Sequence, residues 1–128
     1  MYALEIRIGR NIGQEYLDPF LTVPDSKVTV ALDDHEWSNF KKDVSRVLSP
    51  ILNEPEFYGV DSVNRIHEGR TVWGDDVEET FIITVNFTID VFGRDPSLPR
   101  IIGSKLEELK DEYFQDSIYV VYGFSEFL

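Results

Sequence analysis

The chain has no cysteine. Disulfide frameworks, thiolate catalysis and cysteine-ligated zinc are therefore all removed, and the fold must be held by packing. Histidine is almost as scarce. His35 and His67 are the only two, so a His-rich metal site is excluded and a Ser-His-Asp triad would have to use one of them. Positive charge is short as well: 12 Lys and Arg stand against 24 Asp and Glu, a formal charge of −12. Such a balance repels phosphate backbones and anionic lipid unless the bases are segregated. They are scattered along the chain, with Lys41 and Lys42 the one short cluster, so direct nucleic-acid binding is not expected. No apolar run approaches the roughly 20 residues needed to cross a bilayer, and no membrane partner is expected either. Residues 1–10 alternate charged and apolar types, unlike the basic-then-apolar order of a secretion signal, and a cytoplasmic chain is expected. P-loop, nucleophile-elbow, dinucleotide and EF-hand patterns are absent, so neither a cofactor nor a resident metal is expected.

What is present is material for one core. At 128 residues, with 42% hydrophobic and 13% aromatic residues and no long polar tract, the chain has the size and apolar content of a single α+β domain spanning residues 1–128. Tyr2, Leu4, Ile6 and Ile8 alternate with Ala3, Glu5 and Arg7, the period of a strand with one face buried. Residues 9–24 break that strand with glycines and prolines, and 27–32 alternate again as a short extra edge strand. Asp33 is an N-cap with Glu36 three residues on, and Trp37, Phe40, Val44 and Val47 follow at helical spacing, giving a helix over 34–49 that ends or kinks before Pro50. Residues 60–73 are apolar without a clean period and read as a bent strand. After the turn at Gly74-Asp75-Asp76, residues 80–91 alternate as the clearest strand in the sequence. Ile102, Leu106, Leu109 and Tyr113 then define a helix over 98–114, and 117–124 alternate as a last strand.

That order, strand, helix, two strands, helix, strand, predicts a ferredoxin-like βαββαβ fold with an antiparallel sheet and both helices on one face. In this register the chain resembles a small bacterial and phage family, a domain of unknown function. The resemblance rests on Gly9-Arg10-Asn11-Ile12 closing the first strand, Trp37 and Phe40 on the first helix, Trp73, Glu79 and the Phe114-Gln115-Asp116-Ser117 corner. It covers most of the chain, although residues 14–32 form a longer connection than is usual in the family. The resemblance implies a fold and a register, and no activity.

The candidate interaction residues are Trp73, an aromatic beside a polar turn, and the acidic run of Asp75, Asp76, Glu78 and Glu79. Carboxylates of this kind could hold Ca²⁺ or Mg²⁺, but the run lacks the alternating ligand spacing and central glycine of a calcium loop. Charged hairpin tips also serve to keep sheet edges from pairing. No catalytic residue is assigned. The acidic side of the second helix, Glu107, Glu108, Asp111 and Glu112 with Asp116 beyond, reads as a solvated face. The sequence thus points to a small acidic, non-enzymatic interaction protein binding a basic surface of a protein partner, in the host cytoplasm if the chain is phage-encoded. One alternative is a small ligand-binding domain or enzyme using a helix-sheet cleft near His67. Another is a structural component of a larger assembly, and self-association is left open.

Overall fold

A computed structural model describes residues 1–17, 29–62, 64–74 and 76–124. Its architecture is α+β. Four strands, β1 (Tyr2–Gly9), β2 (Arg65–Trp73), β3 (Asp76–Phe87) and β4 (Tyr119–Phe124), form one sheet in the order β2-β3-β1-β4, with every neighbouring pair antiparallel. Two long helices, α1 (Asp34–Val47) and α5 (Ser97–Glu112), are joined to it by the shorter α2 (Ser49–Leu52), α3 (Pro55–Tyr58) and α4 (Val91–Arg94).

The alternation read in the sequence becomes burial. Leu4, Ile6 and Ile8 of β1 face Val85, Ile83 and Phe81 of β3 across the ladder, and all six are buried. Trp37, Phe40, Val44 and Val47 of α1 and Leu98, Ile102 and Leu106 of α5 close over them in a single cluster, so both long helices lie on this face. Phe40 and Phe87 are wholly buried. The Phe40 ring stacks on Tyr113, which ends α5, with centroids 4.5 Å apart, and the Tyr113 hydroxyl donates to Asp43 of α1. The opposite face, with Glu5, Arg7, Ile82, Thr84 and Asn86, carries no helix among the described residues and is partly exposed.

Element boundaries depart from the periodicity for local reasons. The first helix stops at Val47, before the expected 49, because Leu48 closes a tighter turn on Ser45, and Pro50 then sits in the first turn of α2, where its missing N–H is not needed. The strand expected over 80–91 starts earlier, at Asp76, and ends at Phe87. Thr88 leaves the ladder to bond Gly59 through its N–H and hydroxyl, and Asp90 turns the chain into α4 by accepting from the Gly93 N–H. Of the bent strand expected over 60–73, only Arg65–Trp73 forms among the described residues, with Val60 making an isolated bridge to Phe87. The extra edge strand expected over 27–32 reduces, among the described residues, to a bridge between Ala31 and Asn11. The second helix spans Ser97–Glu112 instead of 98–114. It ends because Phe114 adopts a left-handed backbone (φ 55°), which lets the Gln115 N–H reach back to the Lys110 carbonyl.

Candidate functional site

At one end of the sheet the exit of β1, the start of β3 and the corner after α5 converge. Their meeting point is a cavity of about 250 Å³ lined by Gly9, Asn11, Ile12, Gly13, Gln14, Thr29, Glu78, Gln115, Asp116 and Ser117. The strand exit is anchored by Arg10. Its Nε donates to the Leu32 carbonyl at 2.7 Å, Nη1 to Glu79 at 2.5 Å and Nη2 to Asp34 at 2.7 Å. These carboxylates hold the guanidinium even more firmly protonated than usual. All its polar edges are committed within the fold, so Arg10 serves as a clamp between β1, β3 and the start of α1.

Two glycines give the corner its shape. A Cβ on Gly9 would overlap the Glu78 carboxylate, and one on Gly13 would overlap the carboxylate of Asp116. Glycine at these positions lets two acids approach the backbone more closely than any other residue would allow. Glu78 accepts from the Asn11 N–H at 2.9 Å. Burial pushes its carboxyl above the ordinary glutamate value, and the Asn11 N–H works against that rise. The Gly13 N–H is held by the Phe114 carbonyl, and the buried Gln115 amide donates to the carbonyls of Asn11 and Tyr113. The left-handed Phe114 sets this geometry, since it aims Gln115 inward and leaves its own ring against Tyr16. A non-glycine residue held at positive φ costs energy that surrounding contacts must offset.

The candidates read from sequence are divided by this arrangement. Trp73 ends β2 and Asp76 opens β3, directly paired across the hairpin, while Asp75 lies outside the described residues. Glu78 and Glu79 are not part of a free tip. They belong to β3, so strand alternation sends them to opposite faces, one to Asn11 and the other to Arg10. Both histidines are exposed and apart from the corner. His35 lies beside Asn39 on α1, and His67 pairs with Ile82 on the sheet face away from α1 and α5, so a helix-sheet cleft does not include it. Among the described residues no group of three or more His, Asp or Glu could hold a metal ion. The cavity therefore presents carboxylates and amides without a neighbouring imidazole.

The acidic face of α5 is free by comparison. Glu107, Glu108, Asp111 and Glu112 are exposed; Glu107 pairs with Lys110 at 3.3 Å, and Asp111 receives a long bond from the Tyr16 hydroxyl. Glu108 and Glu112 also line a shallow groove between α5 and α1, together with Asp43, Arg46 and Lys105. Sequence reasoning had no means of assigning Asn11, Gly13 and Gln115 a role. The visible signals were the Gly9 to Gly13 spacing and the Phe114–Ser117 corner. No protein-family model, curated protein or solved structure matches the chain, and no helix among the described residues is long and apolar enough to cross a membrane.

Proposed function

We propose that the chain is a non-catalytic interaction protein whose acidic surface docks on a basic surface of a protein partner. The observation that carries this reading is the C-terminal half of α5. Glu108, Asp111 and Glu112 are exposed there, close to the negative end of the helix dipole, where carboxylates cost stability. Charge placed against the dipole calls for a reason outside folding, and a basic partner supplies one, because exposed carboxylates steer association and select against acidic competitors. Of the hairpin candidates, Trp73 and Asp76 stand at the strand ends that flank the turn and Asp75 lies outside the described residues, whereas Glu78 and Glu79 are engaged within the fold. The resemblance to a bacterial and phage family favours a host protein as the partner.

A ferredoxin-like arrangement is part of the proposal. It is supported by the strand order: β3 lies between β1 and β2 and antiparallel to both, so β1 and β2 run parallel with a strand inserted between them, as a split βαβ unit requires.

The test is capture from host lysate at low and high salt, comparing the native chain with the triple variant Glu108→Gln, Asp111→Asn, Glu112→Gln. A basic protein retained at low salt, released at high salt and lost with the triple variant supports the reading. Capture that is indifferent to both salt and neutralisation overturns it. The polar corner favours a second reading, a small-ligand site. In that case Gly13→Ala, whose Cβ would overlap the Asp116 carboxylate that lines the cavity and so displace it, should abolish binding of the ligand without disturbing capture of the protein partner.

A further inference from the structure

The two edges of the sheet are built differently. β2 carries Arg65, His67, Glu68 and Arg70, the charged side chains with which edge strands resist pairing. β4, Tyr-Val-Val-Tyr-Gly-Phe, has no charge and no proline at any position, and among the described residues nothing pairs with its outer edge. Its apolar side chains are open on both faces: Tyr119 is 53% exposed, Val120 41%, Val121 42% and Phe124 60%. An unpaired edge offers a row of N–H and C=O groups that water satisfies in the free chain and that another strand can take over in register, so the occupant this edge fits is strand-shaped.

We infer that this occupant is β4 of a second copy of the chain, paired antiparallel about a two-fold axis to give a continuous sheet across two subunits. Charge is the first argument. Two chains of −12 repel over most of their surfaces, and an edge without carboxylates is where they can meet within the roughly 8 Å screening length of physiological salt. Symmetry is the second. Backbone groups of alternate residues point to opposite edges, so antiparallel self-pairing matches residues of the same parity and the axis must pass through a residue. With the axis at Val121, Val121 meets its own copy, Val120 meets Tyr122 and Tyr119 meets Gly123, apolar or small against apolar throughout. The inference is independent of the acidic docking reading, because β4 shares no residue with the α5 face.

Because the chain has no cysteine, Val121→Cys is a clean probe. Residues directly opposite in an antiparallel pair have Cα atoms about 4.5 to 5.5 Å apart, within the span of a disulfide. Oxidation should convert Val121→Cys to a covalent dimer and leave Val72→Cys, on the other edge, uncrosslinked. Light scattering across a dilution series should give the native chain twice its 14.8 kDa mass. Val121→Lys, which sets like charges directly opposite each other, should give a single-chain mass with an unchanged circular dichroism spectrum. That variant should fold, since Val121 lies on the open face opposite Glu5. A native chain that is monomeric at every concentration overturns the inference. So does a dimer that survives Val121→Lys, or one crosslinked through Val72→Cys and not through Val121→Cys.

Discussion

Phe40 and Phe87 show how much single side chains carry. Each is wholly buried, and Phe40 touches both long helices through Trp37 and Tyr113. Replacing either with alanine should cost about 3 to 5 kcal/mol, read from urea denaturation midpoints, because the surrounding cluster can collapse only in part. Glu78 makes a subtler case. Its carboxyl titrates above the ordinary glutamate value because it is partly buried. The folded state therefore binds its proton more tightly than the unfolded chain, and stability falls as pH rises from the ordinary value, about 4.3, through the folded one. Glu78→Gln removes that loss and keeps an acceptor for Asn11. Its melting temperature should match the native chain in acid and exceed it at neutral pH, by more than does Glu108→Gln, the control for removing one exposed negative charge. Equal gains from the two substitutions at neutral pH would mean that Glu78 is not desolvated. The burial of Phe40 was legible from helical spacing. The burial of Glu78 was not, because it depends on its carboxylate lying against Gly9, the register partner of Thr80, a closeness between strands far apart in sequence.

Among the elements, α1 and β3 were readable because one face of each is apolar at a fixed period and buried at that same period. β2 was not, for a physical reason: it is an edge strand exposed on both faces, with Ile66 67% exposed on one and His67 exposed on the other, so burial imposes no pattern on it. The short helices α2, α3 and α4 are set by a proline or a cap, and four residues are too few to show a period. The cap of α4 also holds β4 in place. Asp90 accepts from the Gly93 N–H and, at 2.7 Å, from the Tyr122 hydroxyl. Burial and this bond push the Tyr122 phenol up to about 12, while the Tyr122 hydroxyl and the Gly93 N–H lower the Asp90 carboxyl. Tyr122→Phe should cost about 1 kcal/mol at neutral pH, measured by chemical denaturation. A carboxyl with a depressed folded pKa contributes stability that is present above its ordinary value and lost as pH falls through the folded one. The difference between Tyr122→Phe and the native chain should therefore shrink in acid. A difference that persists after Asp90 is protonated would assign the effect to the hydroxyl's bonds with the backbone of Phe92 and Val91 and not to the charged carboxylate.

At the scale of the whole molecule the acidic balance divides into two populations. Some carboxylates are committed to the fold: Glu79 and Asp34 on Arg10, Glu78 on Asn11, Asp43 on Tyr113 and Asp90 on Tyr122. Others, exposed along the C-terminal half of α5, contribute no comparable internal contact and oppose the helix dipole. Composition supplied the excess charge but not this partition, because strand alternation and the three-dimensional closeness of β1 and β3 decide which acids are used internally. If the outer population exists for a partner, neutralising it should leave the melting temperature unchanged or higher and remove binding. The most direct measurement is salt-resolved capture by the triple variant of α5 beside the double variant His35→Ala, His67→Ala, with the melting temperature of each recorded. The account predicts that the α5 variant melts no lower than the native chain yet loses the basic partner, and that the histidine variant retains it. Capture kept by the α5 variant and lost by the histidine variant would contradict it.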